Sequence, residues 1–387
     1  MAVQITPVGV SCNLSCTYCY QNTLRDAGNF GGGKLNWDKL KNILDEQEDE
    51  VSLFGGEVLL TPKKDLEKLL SYSYERFGSS SIQTNGTLID DEHIDMFHKY
   101  NTSLGFSFDG WGKLNDLRWA GTLEETRKNT EKTLSNLEKL IHENISVSVI
   151  LTLHNINVGT EERYESFKNM LVWLDNLGVD SIRLHDLEVD NDLTARKHVL
   201  PIEKQKDIFL DLAEFSKEIS SLQVDIFDDI RNLLLGTDQN VTCVWGACDP
   251  YVTEAVTAIG PEGSKKSCEM ANKEGVGWEK SDETGFERYV ALYQTPQEYG
   301  GCKGCPFFSM CKGQCPGRGI DGDWRNKSDS CELWKSLFNH FEEVLVNEEK
   351  IIPLSLNPAR ATIEKNMVEA WKKGYNIHIN EILNYIK

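Results

Sequence analysis

Six times in succession between Val3 and Ile219, a short β-type run is followed by a longer stretch with apolar residues three and four apart. The short runs are VQITPVGV, EVSLFGG, SSIQTNG, SLGFSFDG, ISVSVILTL and DSIRLHD. The stretches that follow are LNWDKLKNILDE, KKDLEKLLSYSYERF, IDDEHIDMFHKY, EETRKNTEKTLSNLEKLIHE, RYESFKNMLVWLDNLG and IEKQKDIFLDLAEFSKEI, each with the period of an amphipathic helix. Strand-helix units in series pair their strands in parallel, because each helix returns the chain to the same end of the sheet. The expected fold class is therefore α/β, a parallel sheet with helices outside, either open or curled into part of a barrel. In both forms chemistry collects at the C-terminal ends of the strands.

The 11 cysteines avoid this scaffold: Cys12, Cys16 and Cys19 follow the first strand, and the other eight fall between Cys243 and Cys331. The start of the chain lacks a basic, apolar signal, and no long apolar run occurs, so neither secretion nor a membrane span is expected. The cytoplasm is the expected compartment, where an odd number of cysteines reads as ligands or catalytic thiols rather than disulfides. A formal charge of -20 argues against a nucleic-acid partner and weakly favours a basic peptide. Three thiolates on a four-iron cluster leave one iron open to a substrate or cofactor, whereas a fourth closes it. A zinc site is the competing reading, although it usually shows paired C-x2-C spacings and four ligands.

The spacing C-x3-C-x2-C, with Tyr18 just before Cys19, resembles the radical S-adenosylmethionine (SAM) superfamily. The resemblance implies a partial (β/α)6 barrel and a cofactor whose methionine amine and carboxylate chelate the open iron. LFGGEVLL resembles the family's GGE segment, with Gly55 and Gly56 allowing close backbone approach and Glu57 accepting from the methionine ammonium. Val58 stands where many members have proline. IQTNGTLI and GFSFDGWGKLNDLR resemble the next two segments and offer Gln83, Asn85, Ser107 and Asp109 as cofactor contacts; each could instead satisfy turn amides at a strand end. NFGGGKLNW lacks a phosphate-loop pattern and reads as a flexible loop near the cofactor mouth.

Cys302, Cys305, Cys311 and Cys315 form C-x2-C-x5-C-x3-C, with Cys331 further on and Cys243, Cys248 and Cys268 upstream. Eight thiolates suffice for two closed four-iron clusters, while a zinc ribbon in the Cys302 to Cys315 group is the alternative. The pattern resembles the SPASM extension of radical SAM peptide and protein maturases. That resemblance covers about Gln4 to Trp334 and implies a first auxiliary cluster on Cys243, Cys248, Cys268 and Cys315, and a second on Cys302, Cys305, Cys311 and Cys331. If Cys243 is a spare core cysteine, one iron of the first auxiliary cluster is open. The expected divisions are 1–235 for the barrel, 236–340 for the auxiliary-cluster domain and 341–387 for a C-terminal helical segment that caps it or binds a partner.

Such a chain would use S-adenosylmethionine and three 4Fe-4S clusters to generate a 5'-deoxyadenosyl radical and oxidatively modify a peptide or protein, above all a ribosomally made precursor. Glu269 is the candidate base, at a position where sulfatase-maturing relatives place aspartate; the extra methylene argues against formylglycine formation, which stays as the alternative. Asp186 is a second candidate base, and its neighbour His185 reads as a solvated loop residue. A non-catalytic iron-sulfur electron-transfer protein is a further alternative. The implied partners are a reductant such as flavodoxin or ferredoxin and the peptide substrate. With Cys12 so near the start, no room is expected for a leader-binding module, so a separate leader-binding protein or direct capture of a short motif would serve recognition.

Overall fold

The computed structural model describes residues 2–46, 50–188, 196–219, 221–248, 256–266, 268, 270, 281 and 285–386. Among them, nine strands form one sheet: β1 (Ala2–Ile5), β2 (Val51–Leu53), β3 (Ser80–Thr84), β4 (Thr102–Ser107), β5 (Val147–Leu153), β6 (Ser181–Asp186), β7 (Gln223–Val224), β8 (Val256–Ile259) and β9 (Lys265–Lys266). Their spatial order is β7-β6-β5-β4-β3-β2-β1-β8-β9. The pairs from β1 to β7, and β1 with β8, are parallel, and β8 with β9 is antiparallel. The six expected strand-helix units all form, in sequence order, as a partial barrel.

Local chemistry sets where the helices begin and end. Asp90, Thr122 and Thr160 each accept a backbone N–H three residues on, opening the helices Asp91–Lys99, Leu123–His142 and Glu161–Leu177. Gly78 and Gly178 adopt the left-handed conformation that closes Lys63–Phe77 and Glu161–Leu177. The strands alternate in burial because successive side chains point to opposite faces. Ile82, Leu104, Phe106, Val147, Val149, Ile182 and Leu184 are buried beneath the helices. Gln83, Ser107, Arg183 and His185 occupy the other, half-buried face. The concave side of the barrel is thus lined by small and polar groups, as a cavity for polar ligands requires.

The sheet does not stop at the sixth unit. β8, from the cysteine-rich region, pairs with β1 from Ala2↔Val256 to Ile5↔Ile259. The expected division at 235/236 is therefore bridged by backbone hydrogen bonds. β7 to β9 are too short for periodicity to reveal.

Aromatic packing holds the cysteine-rich region together. Trp245, fully buried, meets Trp334 and Phe338 edge-on at 5.5 and 5.6 Å, and Phe307 stacks on Phe338 at 5.1 Å. The C-terminal segment caps this region: Trp371, in the helix Arg360–Lys372, lies 5.2 Å from Tyr289 and 6.0 Å from Phe308. Among the described residues no helix is long and apolar enough to cross a membrane. Because Trp371 is 2% exposed, Trp371→Ala is expected to cost about 3–5 kcal/mol, measured as a lower urea midpoint at unchanged slope.

Candidate functional site

The segment Gly9 to Cys19 lies at the C-terminal end of β1 and is held mainly by main-chain contacts. Gly56 N donates to Gly9 O at 2.9 Å and Glu57 N to Ser11 O at 2.9 Å, so the GGE segment runs beside the loop that leads into Cys12. A Cβ on Gly56 would stand 2.1 Å from Ser11 O, and Gly55 has φ +136° with Gly9 O at 2.5 Å from its would-be Cβ. The glycines expected to admit the cofactor therefore admit the thiol loop. Further along, Ser15 N donates to Trp119 O at 2.7 Å and Thr17 N to Leu117 O at 2.9 Å. NFGGGKLNW packs on the loop's other side, where Val10 N meets Phe30 O at 2.8 Å.

Glu57 is fully buried, and three donors already occupy it: Leu59 N at 3.0 Å and Thr84 Oγ1 at 2.7 Å on Oε1, and Asn85 N at 2.8 Å on Oε2. These contacts tie the end of β2 to the end of β3. Burial raises the pKa of Glu57, against the pull of those donors. Asn85 extends the chain of contacts, donating to Asn13 Oδ1 at 2.9 Å, beside Cys12. Gln83 and Ser107 face the barrel interior and touch each other at 3.4 Å.

Asp109 is likewise committed internally. Its side chain accepts from Thr152 N at 3.0 Å, pairs with Arg118 at 3.2 Å and receives the Tyr18 hydroxyl, while His154 Nε2 lies 3.6 Å away. Burial pushes its pKa up, but Arg118, His154 and Tyr18 outweigh that and hold it well below the usual carboxylate range. Asp109 thereby fixes Tyr18, which stands between Cys16 and Cys19. Arg118, His154 and Arg25 carry roles that sequence reasoning missed. Arg25 donates to Val10 O at 3.0 Å with Cys19, Cys12 and Cys16 beside it. Arg118 lies four residues past the hydrophobic Leu114, at the far end of the segment that resembles the family, and only its contact with Tyr18 gives it meaning.

The thiols sort into three neighbourhoods. Burial pushes Cys16 up to about 12; Arg118 opposes the rise, and Cys19 and Cys12 add to it. Cys268 is raised by burial and then by Cys243, Cys315 and Cys248, the most exposed of the four being Cys243. Cys311 is raised by burial and then by Cys331, Cys302 and Cys305. The last four line one cavity with Phe307, Phe308, Trp334 and Phe338. Such a pocket, closed by four sulfur donors and apolar rings, fits a four-iron cluster. By contrast, the surface groove between Lys63–Phe77 and Asp91–Lys99, lined by Lys63, Lys64, Glu67, Glu92, Asp95, Met96 and Lys99, is remote from every thiol.

Asp186, at the end of β6, accepts from Arg318 Nη2 at 2.8 Å and from the Ser330 hydroxyl. Burial raises its pKa, but Arg318 and Ser330 bring it below the usual range. The carboxylate is thus held ionised in a clamp between barrel and cysteine-rich region, which leaves it poorly placed to act as a free base. His185 is corrected from solvated loop to strand: it lies on β6, and burial together with Arg183 lowers it to about 4, so the ring is neutral near pH 7. Glu269 lies outside the described residues.

Gly56→Ala is expected to cut iron incorporation on anaerobic reconstitution, because the methyl displaces Ser11 O. Gly33→Ala, whose Cβ would meet the flexible end of Glu262 at 3.4 Å and the Pro261 ring at an ordinary 3.8 Å, is the control. Glu57→Gln turns one acceptor into a donor facing a donor and should cost about 1–3 kcal/mol in denaturant unfolding.

Residues 6–174 match the family model of the Radical SAM superfamily. Over 374 residues the chain is 24% identical to a cysteine-type anaerobic sulfatase-maturating enzyme of Clostridium novyi (strain NT), covering 87% of this chain and 94% of that one. The fold resembles anSMEcpe with bound AdoMet and Cp18Cys peptide, with a TM-score of 0.64, 19% identity and coverage of 89% and 98%. It also resembles Streptococcus suis SuiB bound to precursor peptide SuiA, with a TM-score of 0.52, 16% identity and coverage of 72% and 61%. Superfamily membership implies S-adenosylmethionine and a four-iron cluster as cofactors, and it sets aside a non-catalytic electron-transfer role. Residues 6–174 of this chain are thus a radical SAM domain, followed by a cysteine-rich region, and over most of its length the chain has the fold of anSMEcpe.

Proposed function

We propose that this enzyme oxidatively modifies a peptide or protein, in first place a ribosomally made precursor peptide. The grouping of eleven thiols into one triplet and two quartets carries the reading, since a triplet would leave one iron of a cluster open and two quartets would close two more. Cys12, Cys16 and Cys19 would hold the first. Cys243, Cys248, Cys268 and Cys315 would hold one auxiliary cluster, and Cys302, Cys305, Cys311 and Cys331 the other. When bound, the open cluster with S-adenosylmethionine supplies a radical able to take hydrogen from an unactivated carbon, and the auxiliary clusters supply an electron sink.

The chain's own residues position these groups. Gly55, Gly56, Glu57, Asn85 and Asp109 fix the thiol loop, Tyr18 closes it, and Gln83 and Ser107 are the proposed cofactor contacts on the polar face. Glu269 is the proposed acceptor of the substrate proton, and Asp186 docks the auxiliary region. The barrel would lie at residues 1–235, the auxiliary domain at 236–340 and the capping segment at 341–387. A flavodoxin or ferredoxin would deliver electrons in the cytoplasm, and a separate leader-binding protein could present the substrate.

Similarity along most of the Clostridium novyi relative favours a second reading, conversion of a sulfatase cysteine or serine to formylglycine. Anaerobically reconstituted protein is expected to hold about twelve irons per chain, and joint replacement of Cys12, Cys16 and Cys19 by alanine should abolish 5'-deoxyadenosine formation. Incubation with a genetically linked precursor peptide, in parallel with a sulfatase-type cysteine peptide, separates the readings by product mass. Turnover of the precursor supports the first; turnover of the sulfatase peptide alone replaces it with the second.

A further inference from the structure

Arg288 is 1% exposed, yet among the described residues it has no carboxylate partner. Its guanidinium donates to main-chain carbonyls: Trp324 O at 2.7 Å, Asn326 O at 3.0 Å, and Lys312 O and Gly313 O at 3.5 Å, with the Tyr289 hydroxyl at 3.2 Å. Carbonyl dipoles satisfy its N–H groups but carry no net charge. An interior cation without a counter-anion is costly, and three buried cations of this protein have one: Arg118 has Asp109, Arg318 has Asp186, and Lys312 has Asp238 at 3.3 Å, whereas Lys327, which lines the cavity of the Cys302 quartet and donates to Gln297 O at 2.9 Å, joins Arg288 in showing no carboxylate partner among the described residues.

The position of Arg288 identifies what completes it. Its Nη2 and the Cys302 sulfur lie 3.6 and 3.7 Å from the point where a Cβ on Gly313 would stand, so the cation is next to one quartet. Its helix, Glu287–Gln294, touches both quartets: the Tyr289 hydroxyl donates to Cys248 O, and Cys302 N donates to Leu292 O at 2.7 Å. Arg288 therefore stands beside the Cys302 quartet on a helix that also touches the other, its N–H groups taken up by carbonyls and one hydroxyl, and among the described residues no carboxylate meets it. A four-iron cluster closed by four thiolates is an anion, and nearby charge is one of the factors that set its potential.

We propose that Arg288 is a counter-cation shared by the two auxiliary clusters, raising the reduction potentials of both. This rests on the reading that two such clusters are present. Lys312 does not substitute for Arg288, because Asp238 already neutralises that side chain.

The test is a redox titration of the reconstituted enzyme, followed by electron paramagnetic resonance and iron analysis without turnover, for the wild type, Arg288→Gln and Arg288→Lys. In the Gln variant both auxiliary midpoints should move to more negative potential, while the Lys variant, which keeps the charge and loses the fork, should stay near the wild type. If Gln loses auxiliary iron and Lys retains it, the requirement for charge is equally met. The proposal is overturned if Gln keeps its iron with unchanged potentials, if only one cluster shifts, or if Lys behaves as Gln does, which would make the carbonyl contacts the whole role. Wild-type protein with only about four irons would instead remove the auxiliary-cluster reading itself, an outcome read before any variant is compared.

Discussion

The approach of Gly56 to Ser11, so close that no side chain fits between, is the contact on which the active end of this barrel depends. A loop whose thiols are given over to metal cannot also use them to pack, so its position has to come from its backbone. The ends of β2 and β3, joined through Glu57, form the rail, and the carbonyls of Leu117 and Trp119 hold the loop on its far side. Motifs that lie far apart in the chain are thereby parts of one clamp. Sheet register is what brings them to the same level.

Buried charge is the second organising element. Asp109 with Arg118, and Asp186 with Arg318, are ion pairs at interior positions, and each joins segments distant in sequence. Such pairs contribute little net stability once desolvation is counted, but breaking one leaves an uncompensated charge. They therefore act as locks of geometry. The first sets Tyr18 against the thiol loop; the second sets the auxiliary region against the end of β6. Arg288 departs from this rule, and the departure is informative because it occurs where metal charge is expected.

The auxiliary region is joined to the barrel by more than the clamp. β8 extends the sheet beyond β1, so the N-terminal strand has a partner on each side, one from the barrel and one from the cysteine-rich half. Behind it, Trp245, Trp334 and Phe338 form an apolar layer under the second quartet, and the C-terminal helix closes over Tyr289 and Phe308. Movement of either half would disturb hydrogen bonds of the sheet as well as side-chain packing.

What the sequence by itself determined was the repeated strand-helix unit and the grouping of cysteines, because periodicity and ligand spacing are local properties. Each of the six units formed. The roles of Glu57 and Asp109 were not local. As motif residues they looked like cofactor contacts, and the tertiary structure adds a second task, tying them to Thr84, Asn85, Thr152, Tyr18 and Arg118, none of whose distances can be read from spacing. His185 looked like loop because its burial depends on neighbouring strands, and Arg288 carried no signal at all. An arginine is unremarkable in a sequence; it becomes significant only when the fold buries it beside a set of sulfurs with no carboxylate partner among the described residues, since desolvation and pairing are decided by packing rather than by order along the chain.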